Sequence, residues 1–178
     1  LFKQARMSRI EPDESMLPIK VPNATPEILL ANAFDDEQAL LAKVRYNRLV
    51  DLFLGITAHS LQNHLRTTVK GVGQIEIDEL YVGLNRRGCQ FVVPVQAKVG
   101  KDQHGVIQTE QDITFCRERF PNLLCRPVSV HALRDNRIAM FELAMDDDEV
   151  RIVDQKHYTL VASADISADD LRRYTAGE

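Results

Sequence analysis

Glu76 and Asp78 lie two apart in the run Gln74–Gly83, and Gln96 and Lys98 lie two apart in the run Gln90–Val99. Both runs are rich in Ile, Val, Leu, Tyr and Phe, so both read as β-strands. Successive strand side chains point to opposite faces, so Glu76 and Asp78 share one face and Gln96 and Lys98 share another. Asn85-Arg86-Arg87-Gly88 between the runs has the composition of a hairpin turn. If residues 85 and 89 pair across that turn, paired numbers sum to 174, which sets Asp78 opposite Gln96 and Glu76 opposite Lys98. A register shifted by one residue would separate them. Such a patch suits metal-assisted hydrolysis of a phosphodiester. A carboxylate-bound Mg²⁺ neutralises the anionic substrate, orients water and stabilises the leaving oxygen. A neighbouring lysine helps orient or deprotonate the water and stabilises charge growing on the phosphate.

These runs must be held by the elements around them. Asp35 and Gln38 have capping-box spacing. Ala42, Tyr46, Leu49, Phe53 and Ile56 follow at steps of four and three, which predicts one helix over Asp36–Gly55. A shorter helix is predicted at Ala58–Arg66, with Thr67–Val69 opening a strand. After the hairpin, residues 106–120 read as a helix with Thr109, Ile113, Cys116 and Phe120 inward, stopped by Pro121. Leu123–Ala132 reads as a strand. Ile138–Met145 and Val150–Val161 read as a hairpin about the acidic turn Asp146–Glu149. The expected class is α/β (α+β), a central mixed sheet flanked by helices. Residues 1–34, with prolines at 12, 18 and 22, read as a linker or N-terminal arm, the possible end of an upstream region. The expected domain is 35–165, followed by a polar C-terminal tail, 166–178.

Composition narrows the class further. The 178 residues carry a formal net charge of −4, which excludes a polybasic protein but leaves room for a local basic groove. No apolar run reaches the roughly 18–20 residues of a membrane span. The three cysteines are widely spaced and suggest a reducing, cytoplasmic setting rather than a disulfide framework. His59 and His64, five apart on a predicted helix, are discounted as zinc ligands or catalytic bases.

Ile75-Glu76-Ile77-Asp78, a hairpin, then Val95-Gln96-Ala97-Lys98 resembles the core of the PD-(D/E)xK nuclease superfamily. Gln in place of the second acid is similar to the QxK variant of Mrr-like restriction endonucleases. The order helix, three-stranded meander, helix, strand fits residues 36–132. The resemblance implies a restriction-endonuclease-like core and a Mg²⁺-dependent DNA endonuclease of restriction or host-defence type, with Mn²⁺ able to substitute. It makes Asp78 the metal-binding acid and Lys98 the catalytic lysine. Gln96 takes the second-ligand position, with the Ala97 carbonyl as a further metal ligand. It also implies a homodimer. The sequence departs from the family pattern in two ways. No proline precedes the aspartate, and the Gln removes a charge from the metal site, so that either Glu76 compensates or metal affinity is low.

Each assignment has an ordinary rival. Asp78 and Lys98 could be a cross-strand pair on a solvated face, although the patch sits beside Leu80, Val82, Val92 and Pro94. Glu79 alternates to the other face and reads as structural or exposed. Gln108, Glu110 and Gln111, where the resemblance allows further polar site residues, read as a solvated first helical turn, and Glu37 and Asp51, which could supply a carboxylate to the site, read as surface residues. Candidate DNA contacts are Arg66, Lys70, Arg86, Arg87 and Lys101, with Lys43, Arg45 and Arg48 as a further basic group. The whole-chain alternatives are a non-catalytic nucleic-acid-binding or assembly module that retains the nuclease fold, and a protein-interaction domain without DNA affinity.

Overall fold

The computed structural model describes residues 10–102 and 105–177; residues 1–9, the start of the predicted arm, lie outside them. Strand β1 is Ile19–Pro22, followed by helices α1 (Glu27–Ala31), α2 (Asp36–Tyr46) and α3 (Leu49–Leu54). Strands β2 (Thr57–Val69), β3 (Gly73–Leu84) and β4 (Gln90–Lys98) form an antiparallel meander. Helix α4 (Val106–Arg119) leads to β5 (Leu124–Cys125) and β6 (Val128–Ala132), both parallel to β4. Strands β7 (Arg137–Asp146) and β8 (Glu149–Val161) make a hairpin, and α5 (Ala168–Ala176) ends the described chain. The result is an α+β fold around one mixed sheet of order β1-β8-β7-β6-β4-β3-β2. No described helix is long and apolar enough to cross a membrane.

The predicted hairpin register holds where β3 and β4 pair, from Leu84↔Gln90 to Glu79↔Val95. Asn85 fixes the turn, its Oδ1 accepting the Arg87 and Cys89 N–H groups. Between β7 and β8, Asp147 and Asp148 both have positive φ, 48° and 62°. Positive φ at both central residues matches the handedness of a two-residue hairpin. β5 and β6 continue one line along β4, interrupted at Arg126 and Pro127; proline cannot donate to the ladder.

Four expectations are corrected. The single helix over Asp36–Gly55 is two helices, because Arg48 takes a left-handed φ of 52°. The buried Asn47 side chain bonds Ala24 N, Thr25 Oγ1 and Lys43 O, anchoring the break to the preceding segment. The predicted helix Ala58–Arg66 is strand instead, since β2 pairs with β3 along its length with a bulge between Ser60 and Gln62. Non-local pairing outweighs weak local preference there. Part of the predicted arm belongs to the sheet: β1 pairs in parallel with β8, and Ile10 is fully buried. The polar tail contains a helix, capped by Ser167 and Asp170 and tied to β1 by Lys20–Asp170 (2.9 Å) and Lys20 N–Tyr174 Oη (2.8 Å).

Two apolar layers fix the sheet. Leu40, Leu41 and Val44 of α2, with Phe53 of α3, join Val93, Val95 and Ala97 of β4 in one cluster. Phe115 and Cys116 of α4 join Ile75, Ile77, Leu80 and Val92 in another. Ile77 and Leu80 differ in parity yet share that cluster, so strict alternation fails at Asp78 and Glu79.

Candidate active site

The β3–β4 ladder stops at Glu79↔Val95, while β4 stays paired to β6 as far as Lys98↔His131. Side chains fill the gap. Ala97 N–H donates to Asp78 Oδ2 at 2.7 Å, and Gln96 Nε2 donates to the Glu76 carbonyl at 2.9 Å. A strand residue sends its N–H and C=O to the same edge, so the Ala97 carbonyl also faces the gap.

Glu37, Glu76, Asp78, Gln96, Lys98 and Gln108 line one cleft of about 220 Å³ there. The predicted residues Glu76, Asp78, Gln96 and Lys98 are therefore brought together. Glu37, read from sequence as a surface residue, joins them from the first turn of α2. Gln108 reaches the cleft from α4, whereas Glu110 and Gln111 do not line it. Asp51 is elsewhere, pairing with Arg48 and accepting the Ala58 N–H at 3.2 Å. Glu79 is fully buried and accepts from Arg45 Nε at 2.7 Å.

Asp112 was not singled out by sequence. It is 2% exposed on α4 and accepts from Gln96 Nε2 at 3.0 Å. It lies four residues after Gln108, one helical turn on. That spacing was the available signal.

The cleft is crowded with carboxyls. Burial raises the Asp78 pKa, opposed by the Ala97 N–H and by Lys98. Burial and then Asp78 raise that of Glu37, which shares a hydrogen bond with Asp78. Burial pushes Asp112 up to about 7, against the Gln96 bond and Lys98. Burial and Lys98 hold His131, on β6 beside Lys98, down to about 4. Several acids with raised proton affinity around one lysine make a site short of positive charge, a common property of functional sites.

His64, Glu76 and Asp78 each offer a ligand atom, all within 4.8 Å of one another. His64 does not sit on a helix, as predicted, but on β2 across from this part of β3, with a left-handed φ of 45°. Its Nδ1 is 4.0 Å from Glu76 Oε1, and its Nε2 contacts Gln38. Arg66 Nη2 pairs with the same Glu76 oxygen at 3.2 Å.

The predicted basic contacts divide. Arg66 stands at the cleft, and Lys70 is exposed at the turn between β2 and β3. Arg86 and Arg87 sit at the opposite end of the hairpin. Asp78 to Leu84 alone spans about 20 Å at ~3.3 Å per residue, so both arginines lie away from the carboxylates. Lys43 and Lys101 line a larger hollow. Arg45 and Arg48 are engaged with Glu79 and Asp51.

No protein-family model, curated protein or solved structure matches the chain.

Proposed function

We propose that this protein is a divalent-metal-dependent DNA endonuclease with a restriction-endonuclease-like core of the PD-(D/E)xK type in its QxK form. The observation that carries the reading is the single cleft uniting Asp78, Gln96 and Lys98 where β3 and β4 part. The order α2, meander β2–β4, α4 and parallel β6 around that cleft supports it.

The donor set fits a hard or borderline cation. Asp78 and Glu76 supply carboxylate oxygens and the Ala97 carbonyl a neutral one, which suits Mg²⁺. The adjacent imidazole of His64 also suits Mn²⁺. When bound, such an ion supplies charge neutralisation and a low-pKa water. The chain's own residues do the rest. Asp78 is held in place by the Ala97 N–H. Lys98 brings a positive charge beside the carboxylates, where it orients the attacking water and meets charge building on the phosphate. Gln96 spans from β4 to the Glu76 carbonyl and Asp112, fixing the width of the cleft. Arg66, Lys70 and Lys101 contact the DNA backbone, and a homodimer would present two such clefts to the two strands.

A second reading is a DNA-binding or assembly module that keeps this fold without catalysis. It is favoured by Gln96, whose amide N–H groups are committed to Glu76 and Asp112. The deciding experiment is cleavage of methylated and unmethylated supercoiled plasmid with Mg²⁺ or Mn²⁺, beside Lys98→Ala. Metal-dependent nicking lost in the variant is expected. Nicking that survives the substitution would sink the assigned site. DNA binding unaffected by chelator, with no nicking under any condition, would establish the second reading.

A further inference from the structure

A hollow of about 780 Å³ shares no lining residue with the cleft, although Lys101, named above as a DNA contact, stands on its wall. Two chain segments place it next door. Asp36 lines the hollow while Glu37 lines the cleft, and Lys98 lines the cleft while Val99–Lys101 line the hollow. Consecutive Cα atoms are 3.8 Å apart, so the two share walls at the start of α2 and at the end of β4.

The lining has two characters. Lys43, Lys101 and Arg134 bring positive charge, and none of their charged groups has a hydrogen bond or ion pair among the described residues. Leu40, Leu133 and Ile138 form an apolar floor; Leu40 and Ile138 are buried. Arg134 is presented by a tight turn, closed by Leu133 N–H donating to Arg137 O at 2.8 Å, with Asp135 and Asn136 in the left-handed region. The volume lies within the roughly 300–1,000 Å³ of small-molecule sites. Free cations over an apolar floor match a phosphate joined to a flat, largely apolar base. Asp36 and Glu14, also in the lining, repel phosphate, and Arg137, whose Nη1 donates to the Glu14 carbonyl at 3.1 Å, adds a further cation; a carboxylate there can accept from an exocyclic base amine.

We infer that this hollow is a nucleotide pocket that takes one nucleotide of the substrate strand next to the cut position, its phosphate on Lys43, Lys101 and Arg134 and its base on Leu40, Leu133 and Ile138. The inference rests on the reading of the chain as a nucleic-acid enzyme, and its test is kept separate from cleavage.

The probe is a fluorescein-labelled single-stranded DNA oligonucleotide of about fifteen nucleotides, titrated into the full chain by anisotropy in EDTA at several salt concentrations. Each phosphate contact contributes about 0.7 to the slope of log K against log salt for single strands. The variant Lys43→Ala/Lys101→Ala/Arg134→Ala is therefore expected to reduce the slope by about 0.7, for the single phosphate the pocket holds, and to weaken binding about tenfold or more near physiological salt. Because these side chains make no structural bonds, its far-UV circular dichroism and melting temperature should match the wild type. An oligonucleotide made largely abasic should bind the wild type severalfold more weakly, and Leu133→Ala should shrink that difference. A triple variant with unchanged slope and affinity, or a wild type that does not bind the probe, overturns the pocket. So does an abasic probe that binds equally well, which would leave only a phosphate-tracking surface. If the wild type never cuts but the triple variant loses slope, the pocket stands and the nuclease falls. If cutting is present and the slope is unmoved, the nuclease stands and the pocket falls.

Discussion

The Asp78 carboxylate accepts the Ala97 backbone N–H at 2.7 Å, one residue beyond the last β3–β4 pair. One side chain thus serves the fold and the cleft together. It satisfies a main-chain donor that the parting strands would otherwise strand, and it faces the acids and the lysine of the candidate site.

Asp78→Asn separates those two duties. Asn keeps an acceptor oxygen for the Ala97 N–H, so urea stability should change little. It removes the negative charge, so metal-dependent plasmid nicking should fall about a hundredfold or more, the scale of lost electrostatic stabilisation at an active centre. Asp78→Ala should lose nicking equally and in addition cost about 1–3 kcal/mol for the unsatisfied donor. Nicking at wild-type rate in Asp78→Asn would remove Asp78 from the site.

The hairpin was legible because its information is local. A turn of suitable composition sets the register from Leu84↔Gln90 to Glu79↔Val95, and Glu76, Asp78, Gln96 and Lys98 lie just past that stretch. That arithmetic works as far as Glu79↔Val95 and stops where Asp78 replaces a main-chain partner, an event with no local signature. β2 was misread because Ala58–Arg66 lacks strong propensity and is decided by its pairing with β3. The same error removed His64 from view, since a helix would have turned it away from Glu76. Asp112 was illegible, and Glu37 was legible only as an option set below a surface role, for another reason. Sequence locates a helix, but which turn of α2 or α4 meets the parted strands depends on tertiary packing.

Asp112 should make stability fall as pH rises. Its folded pKa is about 7, against 3.8 for the unstructured group. Below pH 3.8 both states are protonated, and above about 7 both are ionised. Between those limits the folded state holds the extra proton, so rising pH removes stability. At ~1.4 kcal/mol per pH unit the loss is at most about 4 kcal/mol. Urea midpoints at pH 5 and pH 8 check this. Asp112→Asn, which can still accept from Gln96, should flatten the difference. An equal decline in the variant would assign the effect to other groups.

Glu37 should tune the ionisation of Asp78. Their shared hydrogen bond favours the Asp78 anion, with the proton held on Glu37. Glu37→Gln retains a donor, so the acid limb of the nicking profile should stay near its wild-type position. Glu37→Ala removes the donor, so Asp78 takes up a proton more readily and the acid limb should move to higher pH. Rates measured from pH 5 to 8 at saturating Mn²⁺ distinguish the two variants. Identical profiles would confine Glu37 to a wall of the cleft.

The residue after Asp78 offers the sharpest stability test. Glu79 is completely buried, and Arg45 Nε, on α2, reaches its Oε1 at 2.7 Å from a side chain that is 32% exposed. Removing the arginine leaves a carboxylate without its cation inside the sheet–helix layer. Breaking a buried pair in this way typically costs about 3–5 kcal/mol, and the partly solvated arginine places Arg45→Ala near 3. Glu79→Gln should cost less, because a neutral amide tolerates burial better and Arg45 can turn to water. In Arg45→Met/Glu79→Leu no charge remains buried, so much of the loss should be recovered. Urea denaturation of Arg45→Met, Glu79→Leu and the double variant forms a cycle. Coupling near zero would mean that Glu79 is satisfied by other neighbours and that α2 is held to β3 by apolar contacts alone.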